Sequence, residues 1–530
     1  MTLNEYLESR GVQDAEHYKN VSEADVNPPE NLKDIAKAAK ILKQHIKKRT
    51  PIRILVDTDV DGYTSAAMLY ISLEWMNHIG KGELVKYVLH QVNKSHGLGR
   101  ENDCALELID DALLIIPDAG TNDDEFIPET DTIILDHHPR ELKNPPVADA
   151  LVNPQCSEKY TNKELCGAGV VYQFLKYISK DKDSYNYDDL CALALIADVM
   201  DVRSYETKYL ITKGLSDVRN PFFKYLLSYT EKKINGDLSI RNMQMYIVPL
   251  INAIIRVGTF EERDLLFKAF CYANPLLHDE VVQIAERCKA RQNEMIDNWL
   301  KEINIENDKD KNVLIKFSNL PESILGVAAQ KLLSKTGKNT ILFSLEDPTH
   351  GHARGTGNFR TLCTQSGVCD EALGHEQAFG VTIKESNIPK LAEFLNSHVT
   401  VAEKSEYDII ESPDFVFNQA NLNPLCEFNK YVGTGIDPLL IRFENNLFDY
   451  GDISIIGKNK DTLKIAYDDA VNVMIFFYNK NDDLVNKIKR IKKEKKEFLM
   501  SATCTVSRSE FFGKRSWSLI AEDYEVIVND

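Results

Sequence analysis

Ile52-Arg53-Ile54-Leu55-Val56-Asp57-Thr58-Asp59-Val60-Asp61-Gly62 decides how the rest of the chain is read. A β-rich apolar run that stops at carboxylates, then a glycine and a helix-like segment, has the pattern of a buried parallel strand delivering acids to the carboxyl edge of a sheet. Alternation along an extended chain points Asp57, Asp59 and Asp61 to one side, and like charges crowded there repel unless a cation or proton intervenes. A hard divalent metal is the natural counter-ion.

Strand and helix alternate outward from this stretch. Leu32, Ile35, Ala36, Ala39, Leu42 and Ile46 recur at helical spacing before it, and Ala66, Ala67, Leu69, Tyr70 and Leu73 predict the crossover helix after it. Residues 84–89 read as the next strand. Residues 112–116 form a short apolar run ending in Pro117-Asp118-Ala119-Gly120, and residues 132–135 form another ending in Asp136-His137-His138. Strand ends of a parallel sheet share one edge, so these acids and imidazoles are expected to meet. A helical or strand-like segment at 193–198 brings one more acid, Asp198. Oxygen-rich ligands with a single imidazole suit Mn²⁺ or Mg²⁺ better than a structural zinc site.

At 530 residues the chain has room for about three domains, and 43% hydrophobic with 27% charged residues describes a globular protein. The net charge of −18 argues against a protein that coats nucleic acid non-specifically, but metal-binding carboxylates contribute to that total and leave a nuclease open. The charge reverses locally at Lys487, Lys489, Arg490, Lys492, Lys493, Lys495 and Lys496, either a solvated helix face or a contact for a strand. No apolar run reaches the roughly 20 residues of a membrane span, and residues 1–10 lack a signal core. A cytoplasmic protein without membrane contact is expected. The ten cysteines are scattered with no CxxC pair, which reads as reduced packing thiols.

In order and context, Asp57-Thr58-Asp59-Val60-Asp61-Gly62, Pro117-Asp118-Ala119-Gly120, Asp136-His137-His138 and Ala197-Asp198 resemble the four motifs of the DHH phosphoesterases, and within them the RecJ single-strand-specific exonucleases. Similarity continues through Val152-Asn153-Pro154, Gly167-Ala168-Gly169, Asn252-Ala253-Ile254-Ile255-Arg256, Arg354-Gly355-Thr356-Gly357 and Gly374-His375, and covers roughly residues 35–530. Two departures stand out. Lys94 occupies the place of an expected phosphate-contacting arginine, and the glycine-rich loop at Gly355-Thr356-Gly357 carries its arginines displaced to Arg354 and Arg360. A lysine offers a point charge where arginine offers a planar fork.

The resemblance implies an α/β fold: a DHH parallel-sheet domain, a second α/β DHH-associated domain joined by a long helix, and a C-terminal OB-like β-barrel. The expected segments are a helical lead-in at 1–50, the catalytic domain at 51–235, a helical connector at 236–305, the substrate-binding domain at 306–405 and the barrel at 406–530. It also implies two divalent metal ions held by Asp59, Asp61, Asp118, His137 and Asp198, with Asp118 as the bridge. Asp136 then orients an imidazole, His138 faces the scissile phosphate, and Asp57 is a ligand or a network carboxylate. Lys94, Arg256, Arg354, Gly355, Gly357, Gly374 and His375 are the implied substrate contacts, with Lys514, Arg515 and Trp517 on the barrel. The implied activity is 5′→3′ hydrolysis of single-stranded DNA to mononucleotides in recombination or repair, by a monomer working with a helicase and a single-strand-binding protein. The alternatives are a phosphodiesterase for short oligoribonucleotides or cyclic dinucleotides, and a catalytically silent single-strand-binding scaffold.

Overall fold

The computed structural model describes the chain except residues 77–83, 99–111, 124–129, 141–147, 180–185, 306–307, 309, 400–406, 458–459, 512–513 and 529–530, and the side chains of 375, 480, 509–511 and 514. It divides into two compact units, Val21–Val401 and Met1–Asn20 with Ala402–Asp530. Among the described residues no helix is long and apolar enough to cross a membrane.

The larger unit holds a five-stranded parallel sheet of β1 (Ile52–Val56), β2 (Val85–Leu89), β3 (Leu113–Pro117), β4 (Asp131–Leu135) and β5 (Ala150–Val152), in the order β2-β1-β3-β4-β5. Every residue of β1 and β3 is buried, as continuous apolar runs require when both faces are covered. Helix α3 (Ile35–Lys48) leads into β1, and α4 (Val60–Met76) is the crossover that follows it. Here α1 and α2 are the short helices Leu3–Ser9 and Ala15–Lys19. Further on, α5 is Gly167–Ile178 and α6 is Asp188–Ala197, so the segment before Asp198 is helical.

One expectation about the opening stretch is corrected. The strand stops at Val56, and Asp61 lies in the first turn of α4. The acids therefore converge by a turn, not by alternation along a strand. Asp59 stops the extended run by capping the helix: its Oδ1 accepts from the Gly62 N–H at 2.9 Å and its carbonyl from the Tyr63 N–H at 3.1 Å.

A second sheet of the same unit orders β6 (Val313–Ser318), β7 (Asn339–Ser344), β8 (His350–Arg354), β10 (Ala378–Thr382) and β9 (Glu371–His375) as β6-β7-β8-β10-β9. The long helix Pro275–Glu302 precedes it, with Val281, Ile284, Ala285 and Cys288 buried. Ile296 and Trp299 of that helix join Ile324, Leu325, Ala328 and Leu342 in one apolar cluster, so its stripe serves packing.

The smaller unit is built on a seven-stranded sheet, in which β12 (Leu440–Phe448), β16 (Phe498–Phe511) and β17 (Lys514–Val528) are the long central strands. The edges are β11 (Ile409–Ile410) on one side and β15 (Val471–Phe476), β14 (Thr462–Asp468) and β13 (Ile453–Ile456) on the other. This sheet occupies the place of the expected OB-like barrel, and among the described residues no pairing joins β11 to β13. Trp517 is only 1% exposed, which corrects its reading as a nucleic-acid contact: no base reaches an enclosed indole. Arg515 is exposed, and the Lys514 side chain lies outside the described residues. The basic run sits on the helix Asp482–Glu494, which buries Leu484, Ile488 and Ile491, and pairs Lys487 with Asp483 and Arg490 with Glu494.

The expected lead-in at 1–50 is not one piece, because its first 20 residues fold with the C-terminal unit. Tyr6 stacks on Phe428 with centroids 4.8 Å apart, and its hydroxyl donates to the Asp437 carbonyl. Arg10 makes a two-pronged pair with Asp408 at 2.9 and 2.8 Å. Removing the arginine leaves the enclosed Asp408 carboxylate with the Leu440 N–H and no counter-charge from Arg10, so Arg10→Ala is expected to cost about 2 kcal/mol. Chemical denaturation read from this unit's single tryptophan, Trp517, tests this; an unchanged midpoint would make the pair a surface ornament.

Candidate metal centre

Asp57, Asp118 and Asp136 each follow directly on β1, β3 and β4, whose parallel register aligns their ends. Asp118 takes a left-handed backbone, φ +65°, which Asp tolerates better than most residues and which turns its carboxylate back over the sheet edge. Ligand atoms of Asp57, Asp59 and Asp118 lie close enough to hold one ion, and those of Asp61, His137 and Asp198 close enough to hold another. His137 Nε2 lies 3.3 Å from Asp118 Oδ1, 3.5 Å from Asp198 Oδ2 and 4.0 Å from Asp61 Oδ2. Asp118 thus touches both groups.

Most of these acids have partners. Asp61 accepts the Gly167 and Ala168 N–H groups at 2.6 and 2.7 Å, the free amides at the start of α5. That approach requires a glycine: a Cβ on Gly167 would sit 2.5 Å from Asp118 Cβ. Asp136 accepts from the Thr121, His137 and His138 N–H groups and contacts His138 Nδ1 at 2.8 Å. Asp57 accepts from the Gly97 N–H and contacts His96 Nδ1 at 2.9 Å. Asp118 Oδ1 and Asp198 Oδ2 are different. Both are buried with no hydrogen-bond partner among the described residues, and both face His137. Buried carboxylate oxygens left in that state, next to an imidazole, fit a divalent cation.

The electrostatics agree. Burial, then the Asp59 charge, pushes Asp61 up to about 6. Burial and the surrounding carboxylates raise Asp118 and Asp198 well above the usual range, and burial with Asp57 raises Asp59. Burial would also raise Asp136, but the charge and hydrogen bond of His138, aided by His137 and His96, hold it well below. Val199, a β-branched residue beside Asp198, also has a left-handed φ of +58°, a strained conformation kept where the chain must turn the acid inward.

A cationic group faces this centre. Lys94, Arg256 and Arg354 lie close enough to disfavour one another's charge, and Arg256 feels Asp59. Asn93 fixes their approach by donating to the Ile255 and Gly258 carbonyls, and the Ser323 hydroxyl donates to the Arg256 carbonyl. Of the two candidate arginines, Arg354 joins this group, whereas Arg360 pairs with Glu376 at 3.2 Å. Gly355 is corrected: it is buried, and a Cβ there would strike Phe359 and Asn339, so its missing side chain serves packing. Gly357 sits in an open turn at φ +66°, and Gly374, at φ +124°, packs against the Ala378 carbonyl in the β9–β10 hairpin. The His375 side chain lies outside the described residues.

Sequence reading missed His96, whose ring meets that of His138 edge-on at 4.6 Å, together with Asp123, His352 and Glu322. His96 and Lys94 share a loop tied to β1 by the Thr58 hydroxyl, which bonds the Ser95 carbonyl and amide. The neighbouring Gly97 was the available signal.

A parallel-sheet edge gathering carboxylates and one inward imidazole opposite a cationic group defines an oxygen-rich divalent-metal centre of the phosphoesterase kind. Residues 51–197 match the model of the DHH family, N-terminal domain. The chain is 27% identical over 569 aligned residues, covering 98% of it and 95% of the relative, to the SPbeta prophage-derived YorK of Bacillus subtilis (strain 168), provisionally named a single-strand DNA-specific exonuclease. It is 24% identical to the single-stranded-DNA-specific exonuclease RecJ of the same organism, covering 96% and 69%. Its fold matches RecJ of Thermus thermophilus in complex with Mn²⁺, with a TM-score of 0.72 and 18% identity over 98% of this chain and 75% of the other. Residues 51–197 thus carry a DHH-type domain, and the chain resembles the RecJ exonucleases over nearly its whole length.

A carboxyl whose folded pKa is raised withdraws stability as pH rises from its unfolded value through its folded one. In chelator, Asp118→Asn should therefore match the wild type in melting temperature near pH 4 and exceed it increasingly as the pH rises above that, through about 6, where Asp61 ionises. Added Mn²⁺ should raise the wild-type melting temperature and leave the variant nearly unmoved. Parallel pH curves would show that the acids do not repel one another.

Proposed function

We propose that the protein is a metal-dependent exonuclease that hydrolyses single-stranded DNA from the 5′ end to mononucleotides, in recombination or repair. The observation that carries this reading is Asp118 reaching both ligand groups while Lys94, Arg256 and Arg354 face them. The named relatives, YorK and RecJ, supply the substrate class.

Asp59, Asp61, Asp118, His137 and Asp198 would hold two divalent ions, Mn²⁺ or Mg²⁺. When bound, such ions supply Lewis-acid polarisation of the phosphoryl oxygens and a water of lowered pKa. The chain's own groups do the rest. Asp136 fixes the His138 ring through Nδ1, leaving Nε2 as the atom that holds or gives a proton at the scissile ester. Asp57 orients His96 beside that ring. The cationic group takes up backbone phosphates and offsets the acidity of the rest of the protein, so binding should weaken with salt. Gly357, Gly374 and His375 are the candidate strand contacts of the larger unit besides that group, and Lys514 and Arg515 those of the smaller unit. The enzyme acts as a cytoplasmic monomer, served by a helicase and a single-strand-binding protein.

Cleavage of an oligodeoxynucleotide blocked at its 5′ or its 3′ end, with Mn²⁺ and then with chelator, tests the reading. Activity is expected to survive the 3′ block and to vanish with the 5′ block and with chelator. Cleavage confined to dinucleotides would replace it with a small-substrate phosphodiesterase, and binding without cleavage would replace it with a scaffold.

A further inference from the structure

Lys94 does not stand alone beside Arg256 and Arg354. Its Nζ lies 3.3 Å from Nδ1 and 3.4 Å from Nε2 of His352, almost equidistant from the two ring nitrogens. An approach in the ring plane at those distances would drive the ammonium into the carbon between the nitrogens. It therefore sits over the face of the imidazole, where an aromatic ring attracts a cation. Glu322 Oε1 meets Nε2 of the same ring at 3.5 Å. A ring contacting a carboxylate at Nε2 and a cation on its face serves best as a neutral platform, and burial, against the pull of Glu322, lowers the pKa of His352.

The local geometry sets this platform next to Arg354. His352 and Arg354 are two apart on β8 and project to the same side of the strand, about 7 Å along it. Glu322 and Gly326 are four apart on the helix Glu322–Thr336, about 6 Å along its axis. The two steps match: Glu322 meets His352, and a Cβ on Gly326 would lie 2.7 Å from Arg354 Nη2. Glycine there lets the guanidinium lie against the helix one step from the imidazole.

We propose that His352, held by Glu322, is a positioning residue whose ring face seats the Lys94 ammonium beside Arg354 and Arg256, turning a flexible lysine into a fixed contact for a strand phosphate. The proposal rests on the nuclease reading and deepens it. A lysine without a seat keeps several rotamers and loses their entropy on binding; a seated one has lost it in advance. The seat supplies part of the direction that a point charge lacks beside a guanidinium.

A double-mutant cycle tests it. Affinity for a fluorescent single-stranded oligodeoxynucleotide is measured by anisotropy in chelator, and kcat and KM are measured separately with Mn²⁺. His352→Ala should weaken binding and raise KM by about three- to thirty-fold, the range of one cation–ring contact, with most of the effect in KM. In a Lys94→Ala background the same change should have almost no further effect. His352→Phe, which keeps a ring face, should recover most of the affinity, and it also serves if the alanine variant melts early. An equal loss with and without Lys94, or a loss confined to kcat, would overturn the assignment. Wild-type binding without cleavage would overturn the nuclease reading and leave the coupling measurable; no binding at all would overturn both.

Discussion

The burial of several carboxylates against one another is the constraint on which the rest of this structure depends. Asp61 and Asp118 are held where water cannot screen them, Asp198 lies half-buried beside them, and burial with the charges of neighbouring carboxylates raises the pKa of all three. Much of the surrounding architecture reads as compensation. The start of α5 gives two amides to Asp61, the turn after β4 gives its amides and a ring to Asp136, and a loop after β2 gives His96 and an amide to Asp57. What stays uncompensated is Asp118 Oδ1 with Asp198 Oδ2, the part of the cluster left for a cation.

The same constraint explains how an acidic protein handles a polyanion. The overall charge of −18 says little about the cleft, because the acids that dominate locally are buried and turned toward each other. Lys94, Arg256 and Arg354 arrive from three separate segments and form a small field of opposite sign. Their mutual repulsion mirrors that of the acids across from them. Each cluster is less comfortable alone than with a phosphate and its ions between them.

The strand-end acids were legible because an apolar β-rich run and its terminal residue are one local pattern, and parallel pairing then aligns the ends. Asp118 and Asp136 with its histidines were found that way, whereas Asp198 closes a helix and was found only as the acid ending an apolar segment. The turn that carries Asp61 into a helix was less visible, since Asp-Thr-Asp-Val-Asp alternates as a strand would. His96, His352 and Glu322 were illegible because their meaning comes from what lies across the cleft: a histidine at the middle of a strand carries no local sign that a lysine far off in sequence rests on its face. Trp517 misled for a related reason. Exposed and enclosed indoles look alike in sequence, and only the pairing of β17 with β15 and β16 buries this one.

The packing of residues 1–20 with the C-terminal unit has a consequence for how the protein is made. Tyr6, Leu7 and Tyr18 are fully enclosed, and Phe428, Asp437 and Asp408 are among the groups that receive this segment. During synthesis those partners emerge roughly 20–80 s after the segment itself, at ribosomal rates of about 5–20 residues per second. The catalytic unit is completed in between, so residues 1–20 are made before it and find their partners after it. A ribosome stalled before residue 408 would release a finished metal centre with residues 1–20 still lacking the partners that enclose them, a ready mark for proteolysis.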